Sequence, residues 1–171
     1  MTTAHTFELK AISYNSRLSE ETSCYSAKLY MDGKHIADVG NRGHGGCDEQ
    51  HPINRFDLDA LNLEIKATYP KTVFHGMEFD QDLESICGDL LSRYLTLRDI
   101  RRPMGKAIVF LAKGDAIAEG VRTMKYKVTM TPEMKAQAIA NVNARYPGAL
   151  ILNDMTDDEI MALVAAQPVE A

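Results

Sequence analysis

Within the stretch "NRGHGGCDEQH", residues 41–51, two histidines and a cysteine stand as His44-x-x-Cys47-x-x-x-His51, interleaved with Gly43, Gly45 and Gly46 and preceded by Arg42. Three chemistries compete for it. In the first, His44, Cys47 and His51 hold a zinc ion, with Asp48 or Glu49 adding oxygen, because imidazole and thiolate are the ligands zinc prefers. A closed zinc site takes four ligands, however, and the chain has no second pair such as C-x-x-C, so His75 or Cys87 would have to be delivered by the fold. In the second, the glycines let backbone N–H groups converge on a phosphate, with Arg42 and His44 supplying side-chain contacts. The stretch is neither a Walker loop nor a dinucleotide fingerprint, both of which need further residues at fixed spacing. In the third, Gly40, Gly43, Gly45 and Gly46 simply permit positive φ where a strand leaves its sheet, and the loop is a recognition surface with no chemistry of its own.

Nucleophilic catalysis finds less support. A Cys47–His44 or Cys47–His51 dyad would join groups too close in sequence for the usual geometry, because a nucleophile's base normally arrives from elsewhere in the fold. His75 is the remaining candidate base. The carboxylate runs "FDLDA" and "EFDQDLE" read as charges at helix starts, where they complement the macrodipole.

Charge is unevenly spread over the 171 residues, whose net charge is −5. Residues 48–89 hold ten acidic and three basic side chains, and residues 98–127 hold eight basic and three acidic ones. The acidic segment suggests a partner surface at Glu78, Asp80, Asp82 and Glu84 that docks on a protein. The basic segment offers phosphate contacts, yet interleaved stacking aromatics are scarce, with Tyr126 the main one, so nucleic acid is not the expected partner.

The elements that position these residues can be read from pattern. "FELKAI" alternates as a half-buried strand. Asp32-Gly33 sits between two strand-like runs, the signature of a type I′ hairpin, with Leu29 expected opposite Ile36 and Tyr30 opposite His35. A helix over "NRFDLDALNLEIKATYP" should stop at Pro70. A second, "DLESICGDLLSRYLTL", carries an apolar stripe through Leu83, Ile86, Cys87, Leu90, Leu91, Tyr94 and Leu95 and ends by Pro103. "KAIVFLAKGD" reads as a central strand and "VRTMKYKVTM" as its partner, with Met124, Tyr126, Val128 and Met130 on one face. Thr131-Pro132 starts a helix that buries Met134, Ala138, Ile139, Val142 and Tyr146. "ALILN" is one more strand, and Thr156 with Glu159 forms a capping box before a last helix containing Ile160, Leu163 and Val164.

The expected order is β-β-β-α-α-β-β-α-β-α. It describes one α+β domain over residues 1–171 in which an antiparallel sheet, begun by a three-stranded meander, packs against about four helices. A weak internal boundary is conceivable near residues 70–79. Cysteines at 24, 47 and 87 are odd in number and widely spaced, so reduced thiols are expected. "MTTAHTFELK" lacks a signal-peptide pattern, and no apolar run approaches the roughly eighteen residues of a membrane span, so a cytoplasmic protein without a membrane partner is expected.

The runs "SEETSCYSAKLYMDGKHIADVGNRGHGG" and "ARYPGALILNDMTDDE" resemble a group of small uncharacterised proteins encoded by bacteriophages, prophages and other mobile elements. The resemblance implies an accessory role in a phage or its host, and no reaction. Together these readings predict a protein that modulates a host or defence component by binding rather than turnover, without a cofactor. The bound partner would be a protein or a small nucleotide, and a second copy of the chain is a further candidate. The alternative is a small metal-dependent hydrolase or nuclease built on His44, Cys47 and His51.

Overall fold

The computed structural model describes residues 5–74 and 76–166. The fold is α+β, with four helices and antiparallel sheets. The chain divides into two compact units, Met1–Ser92 and Arg93–Ala171. None of the helices among the described residues is long and apolar enough to cross a membrane.

The first unit is built on a four-stranded antiparallel sheet of β1 (Phe7–Tyr14), β2 (Tyr25–Met31), β3 (Lys34–Asn41) and β4 (Glu49–Pro52), in that spatial order. The expected meander has three strands; the fourth comes from "EQHP", the far arm of the glycine loop, which returns to pair with β3. Both hairpin residues, Asp32 and Gly33, have positive φ, as a type I′ turn requires. Tyr30 faces His35 as expected, but Leu29 pairs with Ala37 rather than Ile36. Ile36 is the extra residue of a bulge, which lets consecutive Ile36 and Ala37 both be buried.

Helix α1 (Leu58–Thr68) is capped by Asp57, whose side chain accepts from the Ala60 N–H, and it stops before Pro70. Residues 70–79 hold a small hairpin, β5 (Thr72–Phe74) and β6 (Met77–Phe79), that alternation over so few residues does not reveal. Helix α2 (Leu83–Arg101) begins on an Asp82 cap, which bonds reciprocally with Ser85. Leu83, Ile86, Cys87 and Leu91 of its stripe are buried, while Tyr94 is exposed.

In the second unit, β7 (Ala107–Leu111) is buried along its whole length between β8 (Arg122–Lys125) and β9 (Leu150–Ile151). Its alternate side chains enter two cores. Val109 and Leu111 join Ile100 of α2, Ile117, Leu152 and Ile160. Ile108 and Phe110 join Ala138 and Val142 of α3 (Pro132–Arg145). Strand β9 is shorter than "ALILN" suggests because the Asn153 side chain continues the ladder in place of backbone. Its Oδ1 accepts from the Val109 N–H at 2.7 Å, and its Nδ2 donates to the Ala107 carbonyl at 2.9 Å. Strand β8 stops at Lys125, so Val128 is exposed, as is Met134 at the start of α3. The Thr131 cap and the Thr156–Glu159 capping box of α4 (Asp157–Ala165) are both present.

The start of β1 is tied down by a titratable contact. His5 Nδ1 lies 2.6 Å from Asp32 Oδ2, and its Nε2 lies 3.4 Å from Glu64. The hydrogen bond to Asp32 raises the His5 pKa above its ordinary value, and the Thr6 N–H together with His5 lowers that of Asp32. A raised histidine stabilises fully below its unfolded pKa of about 6.5, and the stabilisation fades as pH rises through the folded value. Asp32 contributes above about pH 4 and loses its contribution on further acidification. His5→Ala should therefore lower the melting temperature at about pH 5.5 and have a smaller effect at about pH 8.5, measured by thermal denaturation in matched buffers.

Candidate functional site

The glycine loop is knotted around one buried polar side chain. Asn41 ends β3 and is 8% exposed. Its Oδ1 accepts from the Thr22 hydroxyl at 2.6 Å and from the Gly43 N–H at 2.9 Å. Its Nδ2 donates to the Gly46 carbonyl at 3.1 Å and to Asp48 Oδ1 at 3.2 Å. Both donors and both acceptor positions of the amide are thus used, the condition under which a buried amide is tolerated. The second oxygen of Asp48 accepts from the Tyr25 hydroxyl, and the Asp48 N–H donates to Glu84 Oε1 at 3.0 Å.

Gly43 is where glycine is obligatory. Its φ is +89°, and a Cβ would lie 1.9 Å from the Leu18 carbonyl oxygen. Its own carbonyl accepts from the Glu20 and Glu21 N–H groups at 2.9 and 3.0 Å, locking residues 42–48 against the β1–β2 connection. The Gly45 N–H donates to Thr22 Oγ1 at 3.3 Å.

This bonding bears on each chemistry the sequence suggests. For an anion cradle, the N–H groups of Gly43, Gly45 and Asp48 are already engaged by side-chain oxygens. The surroundings include Glu20, Glu21, Asp48 and Glu84, a field that disfavours phosphate. For a metal, the three candidate ligands have different neighbours. His44 Nδ1 is 3.3 Å from Glu20, His51 Nε2 is 3.7 Å from Glu49, and Cys47 lies beside Glu84. Among the described residues no three His, Cys, Asp or Glu side chains gather as a metal-ligating group. His75 lies outside the described residues.

Neither thiol is activated. The Glu84 charge, with smaller contributions from Asp48 and Asp82, pushes the exposed Cys47 thiol above its ordinary pKa. Burial, reinforced by the same carboxylates, pushes Cys87 up to about 12. Burial and the bond to Asp48 raise Tyr25 as well. A thiol held protonated is a poor nucleophile.

The four acidic residues expected to form one partner surface have separate occupations. Glu78 and Asp80 share Lys71, at 3.8 and 3.6 Å. Asp82 caps α2, and Glu84 braces Asp48. The structure does bring Arg42, Glu49 and His51 together. Arg42 Nε lies 2.9 Å from Glu49 Oε1 while its side chain remains 82% exposed. These residues border an open groove of about 390 Å³ on the outer face of the sheet, with Ser26 and Gly40 in its lining and Lys28 and Asp38 beside them. Gly40 pairs with both Ser26 and Glu49, and a Cβ there would sit 2.5 Å from the Tyr25 carbonyl oxygen.

Asn41, Thr22 and Tyr25 are site residues that no motif singles out, and Glu84, expected on the acidic surface, braces the loop through Asp48. A signal for Asn41 exists in the sequence: asparagine two residues before glycine is the Asx-turn pattern, and Gly43 N–H to Asn41 Oδ1 is that turn. No family model matches the chain, and neither a curated protein nor a solved structure matches it.

Two outcomes follow from this geometry. Asn41→Ala leaves the Gly46 carbonyl and the Thr22 hydroxyl without their partner and should destabilise the protein by about 3 kcal/mol in urea unfolding. Glu84→Gln keeps an acceptor for the Asp48 N–H while removing the charge, so Cys47 should alkylate faster with iodoacetamide at neutral pH. Cys87 should stay protected in both proteins until they unfold, as followed by peptide mass spectrometry.

Proposed function

We propose that this chain acts by binding rather than turnover, as an accessory factor of the phage or mobile-element kind whose target is a host or defence protein. One observation carries the reading. Arg42, Glu49 and His51, from the two arms of an internally braced loop, meet beside an open groove whose other charged walls are Lys28 and Asp38. A groove with charges of both signs suits a polypeptide, which presents carboxylates and cations along with backbone groups. It suits a nucleotide less well, because Asp38 and Glu49 repel phosphate.

Bracing also favours recognition. A loop already ordered by Asn41 loses little further conformational entropy on binding, so more of the contact energy appears as affinity. The exposed Arg42–Glu49 pair contributes at most about 1 kcal/mol to stability, so its members are readily exchanged for partner groups. His44, with its side chain 61% exposed, adds a further contact point at the loop tip.

The test is affinity capture from cells that supply candidate targets, comparing the wild type with Arg42→Glu and Lys28→Glu and quantifying retained proteins by mass spectrometry. A specific partner held by the wild type should be reduced about tenfold or more by Arg42→Glu, with the melting temperature unchanged. Retention of the same proteins by both variants would overturn the reading. So would chelator-sensitive hydrolysis of a phosphodiester that His44→Ala abolishes.

A further inference from the structure

The second unit contains a cleft of about 560 Å³ lined by Arg102, Pro103, Gly105, Lys106, Ala107, Lys125 and Tyr126. We infer that this cleft is a nucleotide site, in which Arg102, Lys106 and Lys125 hold the phosphates of a free nucleoside phosphate and Tyr126 lies against its base or sugar.

Local structure brings the four residues together. Helix α2 ends in a turn over residues 102–105, closed by the Lys106 N–H on the Pro103 carbonyl at 3.1 Å. Strand β7 starts immediately afterwards and pairs Ala107 with Lys125. The Tyr126 N–H then donates to the Lys106 carbonyl at 2.8 Å, so the two segments run side by side and bring the cations to one place.

Charge gives the second argument. Four other cations of this unit have carboxylate partners: Arg93 with Asp158, Arg101 with Asp157, Arg122 with Asp115 and Lys135 with Asp154. Among the described residues Arg102, Lys106 and Lys125 make no ion pair, and no carboxylate lines the cleft. Three like charges around one hollow repel one another, in a chain whose net charge is −5. A bound anion removes that repulsion, and the arginine fork and lysine ammonium groups are the donors that phosphate oxygens accept from.

Size and aromatic content narrow the anion. The volume lies within the range of roughly 300–1,000 Å³ typical of small-molecule sites. Tyr126, which lines the cleft, is half-buried against the Ile108–Phe110–Val142 core. A single-stranded nucleic acid would ask for a cationic track with several stacking rings, and a net acidic chain opposes a polyanion at long range. A single nucleotide asks only for what this cleft contains.

The experiment is calorimetric titration of the full chain with ADP, GDP and UDP, with inorganic phosphate, and with an oligothymidylate. Lys125→Glu, Tyr126→Leu and the control Lys113→Glu, which lies outside the cleft lining, are titrated alongside, and each variant is checked for an unchanged circular dichroism spectrum. At least one nucleotide should bind with Kd below about 1 mM, Lys125→Glu should weaken it by about tenfold or more, and Lys113→Glu should not. Tyr126→Leu should weaken nucleotide more than inorganic phosphate; if it fails to fold, Arg102→Ala and Lys106→Ala, both exposed, carry the test. No binding by any nucleotide, equal weakening by the Lys113 control, or tighter binding of the oligonucleotide than of every mononucleotide would each overturn the assignment.

Discussion

The side-chain amide of Asn41 is the fixed point on which the loop end of the first unit depends. A buried carboxylate there would face Asp48 without a counter-charge, and a buried aliphatic group would leave the Gly46 carbonyl and Thr22 hydroxyl unanswered. A neutral group with two donors and two acceptors meets both demands. It ties the β1–β2 connection, through Thr22, to the glycine loop, through Gly43 and Gly46, and to the entry to β4, through Asp48. Gly43 is the complementary constraint, because only a residue without Cβ can bring its carbonyl under Glu20 and Glu21 while passing Leu18.

The same network decides the chemistry of the loop. Asp48 and Glu84 are needed as acceptors, and the Glu84 charge holds Cys47 in the thiol form as burial holds Cys87. Interactions that give the loop its shape thereby oppose the thiolate form of Cys47. What stays outward is charge on a braced support, with Arg42, Glu49 and His51 bordering the groove over Ser26 and Gly40.

Charge in the second unit is sorted differently. Most of its arginines are spent on neighbouring aspartates, which shortens the basic run of residues 98–127 to the cations around Ala107 and two further lysines. Anion chemistry that the glycine loop invites by composition is better supplied here, where no carboxylate intrudes. The two candidate sites thus lie in different units, one lined by charges of both signs and the other by cations alone.

Elements whose signals are local were legible in the sequence. The Asp32-Gly33 turn, Thr131 before Pro132 and the Thr156–Glu159 box each depend on residues within four positions of one another, and each formed. Strand β4 was not legible, because "EQHP" has no alternating pattern and is a strand only where β3 receives it. The two-residue β9 depends on the Asn153 amide reaching β7, over forty positions away, and the bulge at Ile36 on the core claiming two successive side chains. For the site, the chain by itself determined which groups crowd into residues 41–51 and which charges surround them. Only the tertiary structure decided that Asn41, rather than His44 or Cys47, organises them. Hydrogen-bond satisfaction in a buried place is a property of the assembled neighbours and is written in no single stretch of residues.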